Sequence, residues 1–478
     1  MVNKSVRAFS MTIACHRAIS ILVALATILN TNIHASASDA ESTDSTDSES
    51  LTAIEKTTNE IVRLELKLMK LGTQFHLAWL KPSKWKPWRV FVYKIAGSGL
   101  TNAGIITIAG SRFQYANNPA AAPRPYLEAG HIVNLVAASV VVGGTLTEGM
   151  LDHISERRLS KEGFDSRSTL SKFLELRGQL DKLLEKRDSL VKKSQSLTVR
   201  QQDILAAENL VLIDIRELIT WEFSKSYCDV ARFKGARNLS TATTLFGAST
   251  AGYMGSLNSL LSVANRQPKQ TGVAGLGFIT SGSSVAAAPL ITKWGSESVE
   301  RRASRKLSDS GITASIGLVE SFDSHRQKLQ ELIATTSESD KQLLKALDAR
   351  GSIYTLHNLI CDGRNELRTD SKIRAKRELT ERLVFSTVVG GTNIARGSQL
   401  AVAGFHFYDS PKDAFKLVAS ASTVFITGSS VWTADNIQGK VREELLKKKL
   451  AGTKLSVHAN LIDDLNNLEQ MEDQMSIY

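Results

Sequence analysis

LVFSTVVGGTNIARGSQLAVAG, residues 383–404, and AFKLVASASTVFITGSSV, residues 414–431, decide how this chain is read. Both are apolar and near the ~20 residues a helix needs to cross a bilayer. Pro411, in the short polar stretch between them, marks the tip of a helical hairpin. The same plan occurs twice upstream. Val90–Gly110 is followed by His131–Leu151 across Pro119, Pro123 and Pro125, and Thr241–Ala264 by Thr271–Ile291 across Pro268.

Charged stretches with helical periodicity separate the apolar pairs. Phe173, Leu176, Leu180, Leu183, Leu190 and Leu197 fall on alternating steps of three and four, with Arg187 and Ser194 in the gaps. That is a coiled-coil seam. Ile61, Leu64, Leu68 and Leu71 form a shorter version before the first hairpin, and Leu461, Leu465, Leu468 and Met475 another after the last. The expected fold is therefore all-α, built from three pseudo-repeats of helical arm, apolar hairpin and helical arm. Their bounds are 51–198 (hairpin 90–151), 199–336 (hairpin 241–291) and 337–478 (hairpin 383–431). The arms are expected to pair as antiparallel coiled coils, residues 51–78 with 454–477 among them.

The N-terminus reads as a secretory signal peptide over 1–37. Lys4, Arg7 and Arg17 precede the short apolar run Ala18–Leu29, and Ala35-Ser36-Ala37 offers small residues for cleavage. Residues 38–50 (SDAESTDSTDSES) are acidic and almost free of apolar side chains, which predicts a disordered linker.

Several details of the apolar pairs suit a membrane. Small residues recur at every seventh position of the first arms: Ala96, Ala103 and Gly110; Ala248, Gly255 and Ser262; Gly390, Gly397 and Gly404. Such stripes let helix backbones approach closely where lipid supplies no hydrophobic drive between helices. Trp85, Trp88, Trp294 and Trp432 sit at the arm-side ends of apolar segments, where an interfacial belt belongs. Arg396 argues the other way, because a mid-span arginine costs roughly 2.5–3.5 kcal/mol to insert. It is marked as a candidate intramembrane polar site.

Sidedness is pulled two ways. A cleaved signal puts the arms outside the cytoplasm. Lys and Arg nevertheless crowd the arm side, at Lys81, Lys84, Lys86 and Arg89 and at Arg374, Lys376, Arg377 and Arg382. The positive-inside rule weakens across loops beyond roughly 60 residues, so the signal peptide decides for extracytoplasmic arms. The alternative is a secreted or periplasmic soluble bundle.

Chemistry is sparse. The chain has 478 residues, 59 Lys+Arg against 48 Asp+Glu, and only three cysteines, which excludes a disulfide scaffold. Cys228 and Cys361 lie at matching places in repeats two and three and are a candidate disulfide. Glu148, Asp152, His153 and Glu156 form the densest cluster of ligand-type residues, read as a solvated helix face rather than a metal site. No nucleophile elbow, zinc-protease helix or phosphate loop is present, so no catalytic residue, cofactor or metal is assigned and an enzyme is not expected. Lys81–Arg89 mixes bases with Trp, a pattern that suits anionic headgroups better than nucleic acid in an exported protein.

The expected role is structural or interactive: a multi-pass protein of the cell envelope whose partners are the lipid bilayer and either further copies of itself or an envelope protein. The alternative is a channel or transport component, its path lined by Gly/Ser/Thr helices with Asn102, Asn134, Asn258, Asn393 and Arg396.

Overall fold

The computed structural model describes residues 45–80, 85–194, 197–312, 318–335, 341–450 and 457–477. The signal peptide expected over 1–37 lies outside them. Among the described residues the chain is all helical, with no strand.

The helices are α1 (Ser45–Leu80), α2 (Lys86–Gln114), α3 (Arg124–Lys161), α4 (Ser166–Lys193), α5 (Val199–Ala242), α6 (Thr250–Ala264), α7 (Pro268–Asp309), α8 (Leu318–Ala334), α9 (Lys341–Phe405), α10 (Pro411–Leu450) and α11 (Val457–Ile477). Helix α1 begins inside the acidic segment expected as linker. Ser45-Thr46-Asp47 opens it, and an acid near a helix N-terminus suits the macrodipole. A π-helical turn, Thr243–Ser249, joins α5 to α6. Pro268 and Pro411 open α7 and α10, where a missing N–H costs nothing.

Helices α3 and α7 end alike. Gly163 and Gly311 take left-handed φ of 83° and 75°. Phe164 N–H then donates to Leu159 O, and Ile312 N–H to Leu307 O. This glycine cap satisfies carbonyls that the helix end leaves open.

The chain divides into two compact units, and α1, α4, α5 and α9 contribute to both. The first takes residues up to Arg63, Leu180–Arg216 and Gly317–Ile360. Its core holds Ile61, Leu180, Ile204, Val211, Phe322 and Leu347.

The second unit takes Leu64–Gln179, Glu217–Ile316 and from Cys361 onward. Its apolar hairpins are α2–α3, α6–α7 and the end of α9 with α10. Helix α2 also packs on α10, and α3 on α6. Glycine contacts join α7 to α9, and α9 to α10. These pairings run through all six helices and return to the first, so the hairpins close into a ring.

Three helical stretches are long and apolar enough to cross a membrane: those containing α3, α7 and α10. Each is the second arm of a hairpin.

The leucine seam on α4 is turned from its expected setting. Phe173, Leu180, Leu184, Arg187 and Val191 are buried, whereas Leu176, Leu183 and Leu190 are only half-buried. The first set repeats in steps of seven, four, three and four, so α4 buries a stripe centred beside the expected leucines.

Candidate functional site

Where the ring helices meet, glycine sets the distance. A Cβ on Gly390 would lie 2.6 Å from the carbonyl oxygen of Gly282, and one on Gly397 2.6 Å from that of Gly275. A Cβ on Gly404 would strike the backbone of Gly272. Thus α9 and α7 run backbone against backbone along these glycines. Gly255 faces the Phe278 ring, and Ala248 O accepts from Ser281 Oγ at 2.8 Å.

The first hairpin corrects the expected stripe. Ala96, Ala103 and Gly110 are exposed, and a Cβ on Gly110 would meet nothing. The contact runs one residue later, through Gly97 and Gly104. A Cβ on Gly104 would lie 2.6 Å from both Gly130 O and Asn134 Oδ1. Seven-residue spacing fits both stripes equally, so only the partner helix distinguishes them.

The outer faces of these helices are apolar. Ile106, Ile132, Val136, Val273, Leu276, Val388 and Val402 are exposed. Inward positions mix polar and apolar side chains: Ser98, Asn134, Thr145, Ser256, Ser281 and Ser422 are buried, and so are Ile105, Ile108, Phe278, Leu400 and Val418. Trp85, Trp88 and Trp294 are exposed and Trp432 is half-buried. Near the tips, Phe113, Tyr126, Phe405 and Tyr408 are exposed as well.

Inside the ring lie two buried arginines, a histidine and an asparagine. Arg396 is 7% exposed, Arg112 8%, His131 6% and Asn134 5%. The Arg396 guanidinium carbon lies 3.8 Å from the Phe278 ring centre and 4.1 Å from that of Phe425. Arg112 stands 4.8 Å over Phe415. The charges of both arginines act on His131. Arg112 Nε, His131 Nε2 and both terminal atoms of Asn134 are buried with no hydrogen-bond partner among the described residues. Cation–π contact returns roughly 0.5–2 kcal/mol per pair. That is less than the several kcal/mol it costs to take a charge out of water.

The asparagines expected along a polar path have separate surroundings. Asn102 accepts from Ser429 Oγ across α2 and α10, Asn258 donates to Met254 O on its own helix, and Asn393 packs where a Cβ on Gly282 would fall. Only Asn134 is among the buried, unpartnered polar groups beside Arg112 and His131.

Outside the ring, several buried arginines are paired with carboxylates. In the first unit Arg187 and Glu208 are both 0% exposed and bond at 2.5 Å. Arg350 Nε and Tyr354 Oη donate to the other Glu208 oxygen at 2.8 and 2.9 Å. Arg187 also donates to Thr58 Oγ1 at 2.8 Å and Leu205 O at 3.1 Å. Burial pushes the Glu208 carboxyl up, but the charges of Arg350 and Arg187 outweigh it and hold it below the ordinary glutamate range.

The second unit has its own such centre. Arg368 grips both Glu222 oxygens at 2.7 and 2.9 Å, and Arg364 reaches Glu222, Asp464 and Thr73. Burial raises the Glu222 carboxyl, and Arg368 and Arg364 again bring it below the usual value. His76 is driven the other way. Burial first, then the Arg368 charge, depresses its imidazole to about 3.

Glu148, Asp152 and Glu156 do not form a free acidic face. Arg89 Nε donates to Glu148 at 2.6 Å, Lys86 to Asp152 at 2.6 Å, and Arg237 to Glu156. They tie α3 to α2 and α5. Cys228 is a half-buried free thiol, which burial pushes up to about 11. The side chain of Cys361 lies outside the described residues.

Sequence reasoning missed the arm networks. Arg187 counted as a gap in a leucine seam, yet a cation at a core position was itself the signal for a buried carboxylate partner. Comparison with protein families, with characterised proteins and with solved structures finds no match for the chain.

Proposed function

We propose that this is an exported multi-pass membrane protein whose ring of apolar hairpins sits in the bilayer. Its helical arms then play a structural or interaction role on the extracytoplasmic side of the cell envelope. One observation carries the reading: the outer faces of the ring expose large apolar side chains such as Ile106, Ile132, Leu276 and Val402, on a ring with three helical stretches long and apolar enough to cross a membrane. In water that arrangement leaves a large apolar surface uncovered; in lipid it matches the solvent.

The arms support the second half of the proposal. Their buried Arg–Glu centres fix which helices pair and in what register, a role that charged cores serve elsewhere. A repeated plan is consistent with the spacing: Arg350 meets Glu208 and Arg364 meets Glu222, each across 142 residues of sequence. The glycine caps at Gly163 and Gly311 fit the same plan.

The test is extraction and labelling. The protein should stay with membranes at high pH, and a cysteine at exposed Glu185 should react with an impermeant maleimide on intact cells. The raised thiol of Cys228 makes the native cysteine a slow reporter. Release from membranes at high pH would favour a secreted soluble bundle. Labelling only after lysis would put the arms in the cytoplasm.

A transport component is the second reading, favoured by the buried cations of the ring. Liposomes carrying the protein should then leak small anions faster than empty ones.

A further inference from the structure

We propose that Arg157, Arg158, Arg301 and Arg302 form a basic collar that binds the headgroups of acidic phospholipids in the arm-side leaflet. The inference rests on the membrane reading, because it takes the apolar face next to the collar to lie in lipid.

Two helices carry the same tripeptide here: Glu156-Arg157-Arg158 near the end of α3, and Glu300-Arg301-Arg302 in α7. In both, the glutamate turns to bases on α5. Lys234 Nζ lies 3.5 Å from Glu156 and Arg237 also bonds it, while Arg232 Nε lies 3.7 Å from Glu300. Residues 232–237 span less than two helical turns, so the two tripeptides stand at about the same height along α5. All four arginines of the tripeptides are exposed. Arg158 meets Glu162 on its own helix, a surface pair worth little. Among the described residues Arg157, Arg301 and Arg302 have no carboxylate partner, and nor do Lys161 and Lys293, exposed on the same two helices.

The apolar face of the ring runs up to these bases. Met150 and Ile154 are exposed on α3, and Trp294 on α7. At ~1.5 Å per residue, Arg157 stands about 5 Å beyond Ile154 and Arg301 about 10 Å beyond Trp294. With the apolar edge in hydrocarbon, a guanidinium on its flexible stem reaches headgroup phosphate from there. Charges that close to an acidic surface act within about one Debye length, ~8–10 Å, and their attractions add.

The bases that the sequence offered for headgroups are engaged elsewhere. Lys86 holds Asp152 and Arg89 holds Glu148. At the tips, Arg124 holds Glu128, and Lys412 and Lys416 alternate with Asp409 and Asp413. Unbalanced positive charge beside the apolar face therefore gathers on α3 and α7.

The experiment reconstitutes the full chain in phosphatidylcholine vesicles with a trace of spin-labelled phosphatidylglycerol or spin-labelled phosphatidylcholine. Electron paramagnetic resonance reads the share of each that is motionally restricted at the protein. At low salt phosphatidylglycerol should be preferred about threefold or more. That preference should fade in about 1 M salt, where the Debye length is about 3 Å. Changing all four arginines to glutamine should remove most of it, and Lys412→Gln with Lys416→Gln should remove little.

Equal restriction of the two lipids by the wild type would overturn the proposal. So would a preference that survives high salt or the fourfold variant, which would place the lipid contact elsewhere. Loss of the preference in millimolar inorganic phosphate would mean a discrete oxyanion pocket and equally refute a lipid collar. Should the fourfold variant fail to fold, Arg157→Gln with Arg158→Gln, and Arg301→Gln with Arg302→Gln, should each lower the preference; no change in either pair refutes the collar. A protein that restricts neither lipid is not in the bilayer and refutes the membrane reading itself, whereas equal restriction of both refutes the collar alone.

Discussion

The same residue type is treated in opposite ways in two parts of this protein. In the helical arms Arg187, Arg350, Arg364 and Arg368 each hold a carboxylate, and the carboxylates are buried with them. In the hairpin ring Arg112 and Arg396 are also buried but, among the described residues, meet phenyl rings and no carboxylate. A complete ion pair fixes partners and stays put. An incomplete one is a structural cost.

The largest effect should come from breaking an arm centre. Glu208→Ala leaves Arg187 and Arg350 buried without a counter-charge and should cost about 3–5 kcal/mol. A denaturant melt of the whole chain checks this. A loss below about 1 kcal/mol would mean that the arm centre is more open to water than its geometry implies.

The next effect lies in the ring. Gly397→Leu forces a side chain into the α7 backbone and should cost roughly 1–3 kcal/mol or more, because overpacking must move a helix. Ala96→Leu, on an exposed face, should change the melting temperature little. Equal losses in the two would deny that α7 and α9 touch through glycine.

Acid should also tell the parts apart. His76 has a folded value near 3 against an ordinary 6.5, so the folded protein binds fewer protons than the unfolded one. Its contribution is complete above pH 6.5 and is lost as pH falls toward 3. Glu208 and Glu222 are also depressed, and their contribution falls away below the ordinary glutamate value of 4.5. Stability should therefore start to decline near pH 6.5 and steepen below 4.5. His76→Phe should shrink the first part of that decline and leave the second, as chemical melts at stepped pH would register.

The smallest effect sharpens the contrast. Arg396→Met should cost no stability, since it removes a buried charge without stranding a partner. A loss as large as that of Glu208→Ala would mean that Arg396 holds a fixed protein counter-charge.

The hairpins were legible in the sequence because two signals agree there. Apolar length and proline-marked tips both point to paired helices, and α2–α3, α6–α7 and α9–α10 form them. The contact faces were less legible. Gly97 and Gly104 share their seven-residue spacing with Ala96 and Ala103, and a period does not say which of two adjacent stripes meets a neighbour. The buried polar groups of the ring were hidden for a related reason. Arg112 reads as a tip residue and His131 as the start of an apolar arm, and only the packing of the ring buries both. Arg187 was visible yet misread, because a single arginine in a leucine run does not reveal that Glu208 awaits it.

The account turns on whether the outer face of the ring meets lipid. The direct measurement places a nitroxide at Val136 and at Glu185, in chains whose native cysteines are serine, and compares collisions with oxygen and with a water-soluble nickel chelate in vesicles. At Val136 oxygen should dominate and nickel should be nearly excluded, with the reverse at Glu185. Equal nickel access at the two sites would place the ring in water and contradict the account.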